Sequence, residues 1–196
     1  LSTYGTERRK VAQQLINADK ELSKLVATRP TTGDQQNDAK VDTAKIEAFM
    51  KRQSGFVSGT SIEYYPSYIC MGQENQHLAL GYKIGQRFHS AQATRLADGM
   101  SQHLGHLVKA DGRWRIFLFG GAEDPVNASS LAYQFIDFLA NDPSSPVLKY
   151  TPKGQDVDAV IDTYAVFQQQ HLSMHDLHDY IWPAKGKYGL RDYEKA

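Results

Sequence analysis

Residues 114–119 limit what this chain can fold into more than any other segment. The stretch KADGRWRIFLFGG (109–121) opens with the polar turn Ala110-Asp111-Gly112. It runs through Trp114, Ile116, Phe117, Leu118 and Phe119 and stops at Gly120-Gly121. An apolar run between turn signals predicts a buried strand over 113–119. Downstream, SSLAYQFIDFLAND predicts a helix with Ser129 or Ser130 as cap and Leu131, Phe135, Phe138 and Leu139 as its apolar stripe. DAVIDTYAVFQ (158–168) is β-branched and aromatic, which predicts a second strand. Strand, helix, strand in that order implies a parallel pair with a right-handed crossover, hence an α/β fold.

Before this unit, ERRKVAQQLINADKELSKLV places Val11, Leu15, Ala18, Leu22 and Leu25 on one face of a long amphipathic helix, with Ser2 or Thr3 as cap. That stripe has no obvious partner elsewhere in the chain. TRPTTGDQQNDAK (28–40) is polar and holds Pro30 and Gly33, so it reads as a mobile linker. Asp42 is placed as the cap of a short second helix, with Ile46, Phe49 and Met50 inward and an end near Gly55. Residues 56–90 predict loops and short strands. SAQATRLADG predicts a strand at 91–97 before an Asp98-Gly99 turn, and MSQHLGHLVKADG a turn of helix before the 113–119 strand. After residue 168, QQHLSMHDLHDYIWPAKGKYGLRDYEKA shows no second alternating hairpin.

Length and composition narrow the function classes. The 196 residues suit one domain, or one domain plus an appendage. No run approaches the ~18 apolar residues of a membrane span. Lys plus Arg and Asp plus Glu number 22 each, so no basic field points to nucleic acid. The single cysteine, Cys70, excludes an intrachain disulfide framework and fits a reducing, cytoplasmic setting. The chain starts at Leu1 and is read as a fragment of a longer protein.

No segment carries an assignable site. His171, His175 and His178, with Asp179, would share a face if HLSMHDLHD were helical, but such spacing also suits a solvated histidine-rich turn. Cys70 has no basic neighbour in sequence to favour a thiolate and reads as an inert thiol. Asn127-Ala128-Ser129 matches a glycosylation sequon, although a turn or helix-entry role explains Asn127 better. Tyr64, Tyr65 and Tyr68, with Pro66, read as packing between a loop and a sheet. GRWR (112–115) reads as a strand start rather than an anion site. The chain has no Gly-x-Gly-x-x-Gly. Catalytic, cofactor-binding and metal-binding residues are therefore all assigned as none.

Two stretches resemble a specific family. TYGTERRKVAQQLI (3–16) is similar to the helix that closes the FAD domain of flavin-dependent aromatic hydroxylases, in its Tyr, Glu-Arg and Ala-x-x-Leu-Ile pattern. GQRFHSAQATRLADGMSQHLGHLVKADGRWRIFLFGGAEDP (85–125) resembles the start of the C-terminal domain of the phenol 2-monooxygenases, especially fungal ones. The resemblance implies a thioredoxin-like βαβ domain without redox cysteines, whose role is subunit association. The strand-to-helix junction GGAEDPVNAS has no cysteine, in keeping with it. It also implies a parent that uses FAD, NADPH and oxygen to hydroxylate phenols, with this chain alone inactive and binding no cofactor. The implied layout is a closing FAD-domain helix (1–27), a linker and short helix (28–55), and a truncated thioredoxin-like domain (56–196). The implied partners are the rest of the hydroxylase and a second subunit, with neither nucleic acid nor membrane. Because the family continues past RDYEKA into further strands, the sheet is expected to be incomplete, with the 113–119 strand lacking a neighbour. The chain alone is then expected to aggregate or stay partly disordered. The alternative is a free-standing interaction module of the same shape without redox activity. A thiol redox enzyme is a third reading, and the lone, badly placed cysteine argues against it.

Overall fold

Strand β3 (Trp114–Phe119) runs parallel to β4 (Ile161–Val166), in register from Trp114 opposite Ile161 to Phe119 opposite Val166. The structure, a computed structural model, describes residues 2–27 and 35–195. The chain divides into two compact units, Leu1–His89 and Ser90–Ala196, and mixes helices with small sheets.

In the first unit, α1 (Ser2–Ala27) packs against α2 (Gln35–Val57). Val11, Ala18, Leu22 and Leu25 are half-buried, whereas Leu15 is 58% exposed and leaves the expected stripe. A face expected to find no partner in the chain thus has one in α2. The second helix also starts seven residues before its expected cap, so Asp42 lies inside it. Gln, Ala and Lys are good helix formers, and the breakers Pro30 and Gly33 both precede Gln35. Residues 28–34 of the predicted linker lie outside the described residues. After α2 the backbone N–H groups of Thr60 and Ser61 return to the Gly55 carbonyl, at 2.9 and 3.0 Å. Between residues 58 and 89 the expected short strands reduce to one bridge, Glu63 to Gln86, and a 3-10 turn at Gln76–Leu78.

In the second unit, β1 (Gln92–Thr94) pairs antiparallel with β2 (Ser101–His103) across the Asp98-Gly99 turn. Gly99 takes φ 69°, a left-handed conformation that favours glycine. Ser101–His103 is strand where a turn of helix was expected, and the helical turn is confined to Leu104–Leu107. The β3–β4 crossover carries α3 (Leu131–Asn141) and α4 (Pro146–Tyr150). Ser130 caps α3, its hydroxyl accepting from Tyr133 N–H at 3.2 Å. Ser145 joins the two helices: its hydroxyl donates to the Leu139 carbonyl at 2.8 Å and accepts from Val147 N–H at 3.2 Å. The buried face of α3 is Ile136 and Leu139, whereas Leu131 and Phe135 of the expected stripe are 74% and 38% exposed. Ile136 packs with Ala165, Leu177 and Ile181, and Leu139 with Val147 and Ile161.

The tail holds a two-residue hairpin that the sequence did not reveal, β5 (Ala184–Lys185) with β6 (Leu190–Arg191). It forms its own sheet. Strand β3 has β4 as its neighbour along its whole length, and among the described residues no third strand joins them. The tail reaches the far edge of β4, where Ala165 N–H donates to the Lys195 carbonyl at 3.1 Å.

Candidate functional site

An aspartate within a buried β-branched run has to be paired, because a lone charge there is too costly. Asp158 and Asp162 flank the start of β4 at 6% and 1% exposure. Lys195 bridges them, with its Nζ against Asp158 and 2.5 Å from Asp162 Oδ1. Lys185 Nζ lies 2.5 Å from both Asp158 and Asp192. Arg113 Nη1 approaches Asp162 at 3.3 Å and Asp158 at 3.6 Å. Asp111 holds Arg113 at 2.8 Å and Arg115 at 2.7 Å. Tyr164 donates to Asp162 at 3.0 Å, and burial pushes its phenol up to about 12.

Four carboxylates thus face four cations. Burial pushes the Asp158 carboxyl up, but the ammonium groups of Lys185 and Lys195 outweigh it and hold it below the usual range. Asp111 is held well below that range, chiefly by Arg113. Each charge is matched within the cluster, which suits it to fastening the tail onto β4. The two arginines of GRWR belong here and bind the chain's own carboxylates. The sequence signal for the site was the pair of aspartates in DAVIDTYAV. Lys185 and Lys195 are too far along the chain for spacing to identify them.

The histidine segment is not a helix. A 3-10 turn covers His171–Ser173, and Asp176 takes φ 55°. His171 lines a cavity of about 500 Å³ beside β4, with Gln92, Thr94, Leu104 and Phe167. His178 caps the turn Asp179–Ile181, its Nδ1 accepting from Tyr180 N–H at 3.1 Å. Its Nε2 lies 3.5 Å from Asp137, and Asp179 pairs instead with Arg191 at 2.7 Å. Among the described residues no group of three His, Cys, Asp or Glu could hold a metal ion.

Cys70 is half-buried. Burial first, then Glu7 and Glu63, push its thiol up, away from the reactive thiolate. Tyr64 accepts from Arg8 at 2.9 Å, Tyr65 lies under Lys10 Nζ at 3.8 Å, and Tyr68 stands 96% exposed. The three tyrosines therefore do not form one packed cluster. The Asn127 side chain accepts from Ser129 N–H and hydroxyl, both at 2.9 Å, just before α3. A second recess of about 450 Å³ opens where β3 ends and α3 begins, lined by Gly120, Gly121, Leu131, Phe135 and Phe167. Among the described residues no helix is long and apolar enough to cross a membrane.

The family described as phenol hydroxylase, C-terminal dimerisation domain, matches residues 62–196. A 3-hydroxybenzoate 4-monooxygenase of Comamonas testosteroni is 37% identical over all of this chain and 30% of its own length. An FAD-dependent monooxygenase of Aspergillus terreus, terD, is 33% identical over all of this chain and 32% of its own length. A phenol 2-monooxygenase of Aspergillus fumigatus, fsqG, is 30% identical over 62% of this chain and 20% of its own length. The chain thus spans about a third of the first two relatives.

Proposed function

Since this chain belongs to the phenol hydroxylase C-terminal dimerisation domain family, we propose that it is the subunit-association portion of a flavoprotein monooxygenase that hydroxylates phenols with NADPH and oxygen. FAD supplies the oxygen chemistry in the parent protein, and this chain contributes no catalytic, cofactor-binding or metal-binding residue. Residues 1–27 form the amphipathic helix that closes the FAD domain, and 28–55 carry the linker and most of α2. Residues 56–196 build a thioredoxin-like domain without redox cysteines, which serves as a docking scaffold. The parent is cytoplasmic and dimeric.

The family match over 62–196 carries this reading. The charge-neutral cluster around Asp158 and Asp162 supports it, since groups held so firmly by one another serve architecture better than proton transfer. The test is to delete residues 90–196 from the full-length protein and to measure its mass by light scattering. The expected result is a monomer that keeps its flavin. A deletion variant that remains dimeric would overturn the association role. A full-length protein without flavin would favour a free-standing interaction module.

A further inference from the structure

Helix α3 carries apolar residues on two sides, one buried in its own unit and the other covered only at its Phe138 end, where Phe138 packs against the core around Leu139, Val147 and Ile161. Ile136 and Leu139, each 1% exposed, face the core. Leu131, Phe135 and Phe138 follow one another at helical spacing on another face. Leu131 is 74% and Phe135 38% exposed, and the Phe135 and Phe138 rings stack at 6.3 Å. The sequence LAYQFIDFLAN holds a single ionised residue, Asp137. It lies about 200° round the helix from Phe135, away from this row. A helix apolar on more than one side is normally covered on each. Beside the row lies the recess of about 450 Å³, floored by Gly120 and Gly121.

We propose that this outer face of α3, with the recess beside Gly120 and Gly121, is where two copies of the chain meet about a two-fold axis. The inference rests on the association role proposed above and adds the surface that performs it. A second copy is the occupant for two reasons. The matched family is described as a dimerisation domain. The row is also uncharged, and the carboxylate that lines the recess, Glu123, accepts from Leu131 N–H at 3.1 Å, so the row can meet itself without like-charge repulsion, as an isologous contact requires. With Phe135 at the axis and the two helices antiparallel, Leu131 of each copy faces Phe138 of the other. The row is only about 10 Å long at 1.5 Å per residue. A stable contact needs about 800 Å² from each partner. The recess must therefore join the row, and glycine at its floor allows close approach.

Gly121 makes the test clean. A Cβ built there meets nothing within 4 Å, so the unit's own fold tolerates a side chain at that position. Gly121→Glu and Phe135→Asp, each made in the full-length protein, should weaken the dimer at least ~100-fold, as loss of a central contact does. Phe135→Leu should keep it. Sedimentation across a concentration series reads the change, and circular dichroism checks the fold. A normally folded Gly121→Glu protein with an unchanged dimer constant would overturn the proposal. If the 90–196 deletion is then monomeric, the association role survives and only this surface is wrong. If the deletion stays dimeric, the role itself fails.

Discussion

Lys195 is 4% exposed, and its ammonium sits between two carboxylates that are almost wholly buried. Removing one member of such a cluster strands the others in a medium that solvates them poorly. Lys195→Met should therefore cost about 3–5 kcal/mol, read from urea unfolding. Pairing it with Asp162→Leu should recover part of that loss. A single variant as stable as the wild type would mean that the cluster is not what fastens the tail. Acid should act on the same residues. Burial pushes Asp158 and Asp192 up, but Lys185 and Lys195, joined at Asp192 by the Glu194 N–H, together outweigh it, and both carboxyls end below the ordinary range. A carboxyl lowered in the folded state contributes stability that is complete above its unfolded value, about 3.9, and is lost as the pH falls through the folded value. The urea midpoint should thus drop below about pH 4, less steeply in Asp158→Asn. An equal slope in that variant would assign the acid sensitivity to other groups. The aspartates could be read from the sequence as charges that need partners. Their partners could not, because only the fold brings Lys185 and Lys195 to them.

At the scale of elements, local pattern was informative where packing and propensity agreed. β3, β4, α3 and the Ser130 cap follow from an apolar run, a β-branched run and a serine before a helix. Pattern misled along α3: Leu131 and Phe135 share a stripe with Phe138, yet the core takes Ile136 instead. It also misled at residues 35–41, where polar composition suggested a loop although the residues propagate helix well. The histidine segment follows the turn reading rather than the helical one, with a 3-10 turn at His171–Ser173 and Asp176 at φ 55°. Ser145 illustrates what spacing does not register. It is fully buried and ties the end of α3 to the start of α4 through both its donor and its acceptor. Ser145→Ala should cost about 2 kcal/mol, the sum of a lost cap and a stranded carbonyl. A thermal shift below about 2 °C would show that the two helices are joined mainly by their apolar contacts.

At the scale of the whole molecule, the 196 residues should bind no flavin by themselves, since the chain has no Gly-x-Gly-x-x-Gly turn to receive a pyrophosphate at a helix N-terminus. Titrating FAD and following its fluorescence should show no quenching, and stoichiometric binding would contradict the division of labour proposed here. The fastening of β4 has one more consequence, which concerns time. Lys195 lies 33 residues after Asp162 and 37 after Asp158. A polypeptide grows from its N-terminus, so the strand is made well before the ammonium groups that neutralise it. Until they arrive, its carboxylates do better in water than in the interior, and β4 is held back from premature burial. Lys185 and Lys195 would then act as the signal that β4 can be buried. Nascent chains halted after Pro183 should be cut readily by protease between residues 90 and 183, and chains extended through Lys195 should resist. Equal resistance in both would show that closure does not wait for the tail.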